Sequence, residues 1–469
     1  MGYTKTMFTD DTIAAISTPL GEGGIGIVRL SGKDSLQIAE KIFFSPKNKS
    51  LRNLKSYRVS YGYVNNPLTG EKIDEVLVTV MKSPRSYTKE EVVEINCHGG
   101  MITLRKVLEI VLKQGARLAE PGEFTKRAFI NGRLDLSQAE AVIDLIRSRT
   151  DESRRISLEQ LQGKLSENIT GLRDRLADIC ANVEAYIDFP EDEIETPEKL
   201  EFLESMKNIR EELQLLLKSY DEGRFFREGL STAIVGKPNV GKSSLLNALL
   251  KRERAIVTEM PGTTRDVIEE YLNINGLPLR LMDTAGIRDV VDIAEKEGVK
   301  RSLKSIESAD LIIALFDQSG PLGQDDFDVL ERIGGRNAII VLNKSDLQSG
   351  LERGIIPSQL MPDASNIVRI SATRGDGLEE LKDAIFNSCL RDWKEEREGV
   401  IVTNIRHKTS IGNALKSLEK AEYALIENQP VEILALELRD SMDKLGEIVG
   451  IVTTEDLLNK IFSDFCIGK

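Results

Sequence analysis

Residues 236–243, with the sequence GKPNVGKS, constrain the fold of this chain more than any other feature. They match the pattern G-x-x-x-x-G-K-[ST], follow an apolar run that predicts a strand, and open the apolar helical stretch 244–250. In this context the backbone N–H groups of the loop and the helix N-terminus can surround a phosphate. Lys242 can then neutralise the β- and γ-phosphates, and Ser243 can ligate Mg²⁺. The segment predicts an α/β domain with a phosphate-binding loop.

Three more segments follow in the order that a guanine-nucleotide site requires. Residues 283–286 (DTAG) end a predicted strand, which places Asp283 by the Mg²⁺ water shell and the Gly286 amide by the γ-phosphate. Residues 343–346 (NKSD) end another strand, and the Asp346 carboxylate can accept from guanine N1–H and the 2-amino group, two donors that adenine lacks. Residues 371–373 (SAT) close the base pocket. The predicted base is guanine.

Residues 258–266 (TEMPGTTRD) lie between these motifs and are predicted to form the loop that senses γ-phosphate, with Thr263 or Thr264 closing onto Mg²⁺. Ile287 follows DTAG and cannot orient a water, so that role falls to residues 288–297, Glu295 among them, or to another chain. The predicted nucleotide contacts are Asn239, Val240, Gly241, Lys242, Ser243, Ser244, Thr258, Glu259, Met260, Pro261, Gly262, Thr263, Thr264, Asp283, Thr284, Ala285, Gly286, Asn343, Lys344, Ser345, Asp346, Ser371, Ala372 and Thr373.

The periodicity of apolar residues divides the chain further. Strand-like runs at 73–81 and 92–95 and a helical pattern at 102–112 predict a mixed α+β module over residues 1–120. One apolar stripe from Leu161 to Tyr186 and a second pattern at 200–220 predict two long helices, the first ended by Pro190. Helical spacing returns after Trp393. Helices that bracket an α/β unit indicate a helical domain split by an insertion.

The α/β unit itself shows short apolar strands that alternate with amphipathic helices, which predicts a doubly wound, mostly parallel sheet. Asn275-Gly276 between two strand patterns predicts a hairpin. We therefore predict a multidomain protein, α/β plus all-α, with an N-terminal α+β domain at 1–120, a helical domain at 121–222 and 389–469, and an inserted Ras-like GTPase domain at 223–388.

Composition excludes several classes. The net charge of −13 argues against nonspecific coating of nucleic acid, although residues 1–120 hold 17 Lys and Arg against 13 Asp and Glu. Four dispersed cysteines and two histidines argue against a disulfide scaffold and a zinc site and favour a reducing, cytoplasmic location. No apolar run reaches the roughly 20 residues of a membrane span.

Several stretches outside the nucleotide motifs resemble the MnmE (TrmE) family of tRNA-modification GTPases over nearly the whole chain. These stretches are DTIAA at 11–15, GGIGIVR at 23–29, SPRSYT at 83–88, CHGG at 97–100, PGEFTKRAF at 121–129 and CIGK at 466–469. Lys89 departs from the family, which usually has glycine after S-Y-T. The resemblance implies an N-terminal domain that forms a homodimer and binds 5-formyltetrahydrofolate or methylene-tetrahydrofolate. By motif position the folate contacts would be Arg29, Glu94, Arg133 and Lys469.

The resemblance also implies a K⁺ ion at the phosphates, held by Asn239, Thr258, Met260 and Thr263 in place of an arginine finger. Glu295 matches the family's water-orienting acid, so Glu295 and Lys242 are the expected catalytic residues of GTP hydrolysis. Mg²⁺ would be held by Ser243 and Thr264.

The implied partners are tRNA and a flavoprotein like MnmG. This chain and the flavoprotein would form a heterotetramer that adds an aminomethyl-type (carboxymethylaminomethyl) group at C5 of the wobble uridine of the tRNA. Cys466 matches a position suited to that chemistry, while Cys97 beside His98 is a second candidate. The alternative is a regulatory or ribosome-assembly GTPase that binds RNA without modifying it. The sequence leaves open which tRNAs are used, whether glycine or ammonium is the second substrate, and where tRNA binds.

Overall fold

The computed structural model describes residues 11–47, 50–188, 196–253, 270–282, 306–350, 367–390 and 399–469. The described residues form two compact units. The N-terminal unit comprises residues 11–143 and 446–469, and the second unit comprises residues 144–445. None of the described helices is long and apolar enough to span a bilayer.

The regular elements follow one another in chain order. Those up to residue 188 are β1 (Ile13–Ile16), β2 (Gly26–Ser31), α1 (Ser35–Ile42), β3 (Phe43–Phe44), a 3₁₀ turn (Leu51–Asn53), β4 (Arg58–Asn65), β5 (Lys72–Met81), β6 (Val92–Cys97), α2 (Met101–Lys113), β7 (Arg117–Leu118), α3 (Glu123–Ile130), α4 (Leu136–Arg147), α5 (Asp151–Leu161) and α6 (Lys164–Asp188). Those after it are α7 (Thr196–Glu228), β8 (Leu230–Val235), α8 (Lys242–Glu253), β9 (Glu270–Ile274), β10 (Leu277–Leu281), β11 (Leu311–Asp317), α9 (Gln324–Ile333), β12 (Ala338–Asn343), β13 (Ile367–Arg369), α10 (Leu378–Cys389), α11 (Ile405–Ile426), α12 (Val431–Val449) and α13 (Glu455–Ser463).

The N-terminal unit is built on a seven-stranded sheet in the order β3-β4-β5-β6-β2-β1-β7. Its neighbouring strands are antiparallel except β1 and β7, which are parallel. In β5 the side chains of Val76, Val78 and Val80 are buried while Leu77 is exposed, as the two-residue period of a half-covered sheet requires. Helices α1 and α2 cover that apolar face and complete the core. The predicted strands and the predicted helix of this region are confirmed.

The long apolar stripe predicted from Leu161 is interrupted in the structure. Leu161 ends α5, and Gly163, at a φ of +96°, separates it from α6. The positive φ explains the break, because a glycine adopts this conformation without the steric cost that other residues meet. From Leu165 to Val183 the predicted stripe is buried, and α6 is described up to Asp188; the predicted stop at Pro190 lies outside the described residues.

The chain enters the α/β region from α7 and returns to the same helix afterwards. The backbone N–H of Val402 donates to Ser219 Oγ at 3.0 Å, and Arg210 in α7 pairs with Glu422 in α11 at 2.8 Å. Helices from both sides of the α/β region therefore pack together, as an insertion into a helical domain requires.

The α/β region holds a six-stranded sheet in the order β13-β12-β11-β8-β10-β9. All of its neighbouring strands are parallel except the β9–β10 hairpin, which turns at Asn275 and Gly276. The central strands β8 and β12 are buried at every position, because apolar clusters cover both faces of the sheet. The prediction of a doubly wound, mostly parallel sheet is confirmed.

Candidate functional site

The phosphate-binding loop joins the C-terminal end of β8 to the N-terminus of α8. Gly236 and Gly241 have φ of +152° and +102°. A Cβ on Gly236 would lie 2.4 Å from the carbonyl oxygen of Leu315, and one on Gly241 would lie 2.2 Å from Asn343 Nδ2. The two glycines therefore let the loop lie directly against Leu315 and Asn343, as a tight loop whose N–H groups surround a phosphate requires.

The Lys242 ammonium group lies inside this loop. Its Nζ donates to the carbonyl oxygens of Gly236 and Lys237 at 2.6 and 2.8 Å. Burial lowers the pKa of Lys242, because the loop shields the ammonium group from water. An anionic phosphate is a stronger partner for a cation than two carbonyl groups. The geometry therefore fits a nucleotide phosphate that takes over this ammonium group.

Asn343 connects the three described nucleotide segments. Its side chain is 2% exposed, donates to the carbonyl oxygen of Val240 at 2.7 Å and accepts from the backbone N–H of Ala372 at 3.0 Å. One amide thus joins the phosphate-binding loop to the predicted base-pocket segment from its position at the end of β12. The segments at 236–243, 343–346 and 371–373 meet as the sequence predicted.

The predicted base-recognising carboxylate is held in place from the last of these segments. Ser371 Oγ donates to Asp346 Oδ1 at 2.7 Å and lies 3.2 Å from Thr373 Oγ1. The hydrogen bond from Ser371 holds the pKa of Asp346 below its usual value. An ionised, oriented carboxylate suits the N1–H and amino group of guanine.

Two ion pairs that the sequence did not reveal brace these segments. The Lys344 ammonium group pairs with Asp317 at the end of β11. Lys237 Nζ, in the phosphate-binding loop, donates at 2.6 Å to the buried carboxylate of Asp326 in α9. Both carboxylates belong to segments without a recognisable motif, so only their meeting in space identifies them.

Some of the remaining predicted nucleotide and metal residues lie in the described part of the chain, and the others lie outside it. Asn239 is exposed in the loop at a φ of +65°, and Ser243 and Ser244 lie in the first turn of α8. Outside the described residues lie 258–264, 283–286 and Glu295. Of the predicted Mg²⁺ and K⁺ ligands, the structure therefore places Ser243 and Asn239.

The predicted folate residues meet in the N-terminal unit although they come from four separate segments. Arg29 and Glu94 are directly opposite on β2 and β6, and Arg29 Nε donates to Glu94 Oε1 at 2.8 Å. A guanidinium nitrogen of Arg29 also donates to the carbonyl oxygen of Gly468 at 3.4 Å. The chain end is thereby fixed beside β2.

The residues Arg29, Glu94, Arg133 and Lys469 form a polar cluster, and the aromatic ring of Tyr87 lies beside it. The guanidinium groups of Arg29 and Arg133 lie 5.7 and 4.6 Å from the ring centre of Tyr87. Burial and the neighbouring Arg29 lower the pKa of Lys469, although Cys466 and Glu94 oppose the shift. A carboxylate between cations, next to an aromatic ring, fits the amino-pyrimidinone edge and the carboxylates of a folate.

The cysteines differ sharply in environment. Cys466 is exposed, and its carbonyl oxygen accepts from the Gly122 N–H at 3.4 Å. Cys97 is buried in the core of the sheet, and burial raises the pKa of its thiol to about 12. His98 instead contacts Asp74, with Nδ1 and Oδ1 2.7 Å apart. The buried Cys97 thiol and the exposed His98 ring, which lies just after β6, therefore have different surroundings, which does not favour a catalytic pair.

A buried ionic network lies next to this polar cluster, and no sequence motif indicates it. Glu123 is 1% exposed and accepts from Arg117 at 2.7 Å and from Arg127 at 2.9 Å. Arg127 is 2% exposed and also donates to Asp11 at 2.7 Å. Burial raises the pKa of Glu123, but the hydrogen bonds from Arg117, from the backbone N–H of Glu120 and from Arg127 outweigh it and hold that pKa below its usual value.

Two family models match this chain. The model described as the MnmE helical domain matches residues 136–466, and the model described as the GTP-binding protein TrmE N-terminus matches residues 12–133.

Full-length relatives show the same likeness. The tRNA modification GTPase MnmE of Thermoanaerobacter pseudethanolicus is 50% identical over 459 residues, which is 98% of this chain and 99% of that protein. MnmE of Alkaliphilus oremlandii is 48% identical over 463 residues, or 99% of this chain and 100% of that protein. A crystal structure of Aquifex aeolicus Era bound to GDP and AlF₄⁻ is 26% identical, covers 40% of this chain and 65% of its own, and has a TM-score of 0.25, too low to support a conclusion.

Proposed function

This chain belongs to the MnmE family and is a GTP hydrolase of tRNA modification, and on that premise we propose the following reaction. The chain acts with a flavoprotein similar to MnmG and forms an aminomethyl-type group, carboxymethylaminomethyl, at C5 of the wobble uridine. A tetrahydrofolate, bound in the N-terminal unit, supplies the one-carbon unit. GTP hydrolysis, activated by K⁺, drives the conformational cycle.

One observation carries this proposal: the polar cluster of the N-terminal unit. Arg29, Glu94 and the Gly468–Lys469 end come from remote parts of the chain, and the Arg29–Glu94 pair (2.8 Å) is joined to the Gly468 carbonyl oxygen (3.4 Å). A GTPase that only switches has no need of a carboxylate flanked by cations and an aromatic ring. The cluster supports a folate in which Glu94 contacts the pterin, while Arg133 and Lys469 contact its carboxylates.

The nucleotide residues have separate roles in the proposal. Lys242 binds the β- and γ-phosphates, Ser243 and Thr264 hold Mg²⁺, and Asp346 selects guanine. The close approach of Gly241 to Asn343 and the position of Lys242 support these assignments. Mg²⁺ neutralises charge on the phosphate oxygens when it is bound.

For K⁺ we propose Asn239, Thr258, Met260 and Thr263 as ligands and Glu295 as the residue that orients water. The exposed Asn239 in the phosphate-binding loop supports the first part. We expect GTP hydrolysis by the full chain to be much faster in K⁺ than in Na⁺, because the ion adds positive charge at the phosphates. Equal rates in the two salts would remove the K⁺ site. Glu295→Ala should bind GTP normally but hydrolyse it slowly.

The proposal also assigns partners and location. The chain forms a homodimer through its N-terminal domain (1–120), joins the flavoprotein in a heterotetramer, and works in the cytoplasm where tRNA is modified. Cys466, exposed beside the polar cluster, is the proposed catalytic thiol of the modification step. The domain limits 1–120, 121–222, 223–388 and 389–469 remain part of the proposal.

Nucleoside analysis of tRNA tests the whole proposal. In cells that lack this chain, the wobble uridine should lose its C5 aminomethyl-type group, and Lys242→Ala should fail to restore it. An unchanged wobble uridine would favour the ribosome-assembly alternative. Family membership over residues 12–133 as well as 136–466 argues against that alternative, because the N-terminal module matches together with the rest.

A further inference from the structure

Two segments of the N-terminal unit are basic in a chain of net charge −13. Residues 52–58 (RNLKSYR) and 82–89 (KSPRSYTK) each contain three cations, one tyrosine and no carboxylate. Indeed, residues 41–70 contain no Asp or Glu at all. Positive charge that is concentrated in an acidic protein indicates an anionic partner for that surface.

The fold brings these two segments together at one end of β4 and β5. The backbone N–H of Tyr57 donates to the Val80 carbonyl oxygen at 2.8 Å, and the Lys82 N–H donates to Ser56 Oγ at 3.0 Å. Lys82 Nζ then reaches back to the carbonyl oxygen of Arg52 at 2.9 Å. The cations of both segments therefore form one continuous basic surface.

The cations of this surface are not neutralised. Within the part of the chain that the structure describes, no carboxylate pairs with any of them, whereas Arg29 and Arg127 elsewhere in the same unit have carboxylate partners. Lys89 and Arg133 donate only to carbonyl oxygens, those of Gly132 and Tyr87. The seven unneutralised cations are Arg52, Lys55, Arg58, Lys82, Arg85, Lys89 and Arg133.

A groove of about 470 Å³ adjoins this surface, and three of the seven cations, Arg85, Lys89 and Arg133, line it. Its lining comprises Tyr57, Met81, Pro84, Arg85, Ser86, Tyr87, Lys89 and Arg133. The Tyr57 side chain is 60% exposed, and Tyr57 and Lys89 have φ of +61° and +59°. A left-handed backbone is costly for these residue types, so the fold places Tyr57 and Lys89 in the groove lining at the expense of local strain.

We propose that this groove binds a single-stranded RNA segment, with its phosphates on the basic surface and a base stacked on Tyr57. The inference rests on the proposed function and locates the tRNA contact that the sequence left open. Exposed aromatic rings among cations bind single strands because every base has a stacking face, whereas a duplex keeps its bases covered. Arg29, Glu94 and Lys469 do not line the groove, so RNA and folate would share Arg133 and the Tyr87 ring.

Fluorescence anisotropy of a labelled, uridine-rich single-stranded oligoribonucleotide with the full-length chain tests this. The triple variant Lys55→Gln, Arg58→Gln, Arg85→Gln should bind at least tenfold more weakly. Its plot of log affinity against log salt should be shallower by about 2, since each phosphate contact to a single strand contributes about 0.7. Tyr57→Leu should lower the RNA affinity roughly tenfold, whereas Tyr57→Phe should leave it unchanged, because phenylalanine keeps the stacking face.

The matched control removes the same charge elsewhere in the unit. Lys41, Arg105 and Lys113 are exposed on α1 and α2, and changing all three to Gln should leave RNA affinity within twofold of the wild type. GTP hydrolysis and the circular dichroism spectrum of each variant confirm that the chain is folded. Equal losses in the two triple variants would reduce the effect to net charge and overturn the groove assignment.

Other outcomes also decide the matter. The same oligoribonucleotide is also measured as a duplex with its complementary strand. The inference is contradicted if the wild-type chain binds this duplex as well as the single strand, or if it binds neither. If the triple variant at Lys55, Arg58 and Arg85 keeps RNA affinity but loses formyltetrahydrofolate affinity, the basic surface serves the folate tail. If it loses only the dimer in light scattering, the surface is an interface between copies. In each case the wobble-uridine analysis still tests the proposed function separately.

Discussion

The nucleotide-binding segments of the second unit and the polar cluster of the N-terminal unit are built in different ways. The first uses short contiguous motifs that backbone groups and one buried amide hold together, as in the bonds from Asn343 to Val240 and Ala372. The second uses single side chains, such as Arg29 and Glu94, that neighbouring strands place opposite each other, and it adds the last residues of the chain.

This difference shows how each site depends on its surroundings. A loop with two glycines that cannot carry a Cβ is specified within eight residues, so its sequence predicts its shape. A cluster of side chains depends on the register of strands and on a buried ionic network around Arg127. We expect substitutions at a distance from the ligand to damage the second kind of site more than the first.

The largest expected effect is that of Glu123→Gln in the N-terminal unit. Glu123 is the buried partner of two arginines, and losing its charge should cost about 3 kcal/mol, the low end for a broken buried pair, because both arginines keep Asp11 as a partner. A chain with several domains does not unfold in one step, so hydrogen exchange of the α3 amides is the suitable measurement. The exposed Glu109 offers the control, and Glu109→Gln should change the protection by less than about 0.5 kcal/mol.

The same network predicts a pH dependence. The pKa values of Glu123 and Asp11 are below their ordinary values in the folded chain, so their contribution to stability is present above about pH 4.5 and is lost as the pH falls through the folded pKa values. The difference between wild type and Glu123→Gln in the opening free energy of the α3 amides, measured by hydrogen exchange, should be constant from about pH 8 to 5 and shrink below that. A difference that grows towards acid pH would contradict this account.

The next effect in size concerns Asn343→Ala, which tests whether one side chain holds the nucleotide segments together. It leaves the Val240 carbonyl oxygen and the Ala372 N–H without their partner, each at about 1–3 kcal/mol when buried. GDP affinity measured by calorimetry should fall by about a hundredfold. Asn337→Ala, an exposed asparagine just before β12, should leave it unchanged. Unchanged affinity in Asn343→Ala would mean that the segments are positioned independently.

Glu94→Gln should have a smaller effect, and that effect should be confined to the polar cluster of the N-terminal unit. The variant keeps an acceptor opposite Arg29 but loses the charge, and a charged hydrogen bond exceeds a neutral one by about 1 kcal/mol. Formyltetrahydrofolate should bind roughly five- to tenfold more weakly while GDP affinity stays the same. Loss of both affinities would show that the two sites are not energetically separate.

Lys89→Gly should have the smallest effect, and it should increase the stability of the N-terminal unit. Lys89 has a φ of +59°, where a side chain costs about 1–2 kcal/mol and glycine does not. Part of that gain is offset by the greater freedom of glycine in the unfolded chain and by loss of the 2.7 Å bond to Gly132, so we expect about 0.5 kcal/mol of stabilisation. Lys89→Ala, which keeps the strained conformation, should not stabilise the unit.

The sequence by itself determined the chemistry of the nucleotide site and the outline of the fold. The loop at 236–243, the guanine motif ending at Asp346 and the turn at Asn275 each act over a few neighbouring residues, so their structure follows from local sterics and hydrogen bonding. The predicted stripe of α6 failed only at Leu161, because the positive φ of Gly163 starts a new helix.

Only the tertiary structure decided which isolated side chains meet. Arg127 with Glu123 and Asp11, Lys237 with Asp326, and Tyr57 beside Arg85 and Lys89 have no shared motif in the sequence. Their positions depend on strand register and on how loops return to the sheet, which involve residues far apart along the chain. Long-range pairing is specified by the packing of the whole unit, so no short window of sequence contains it.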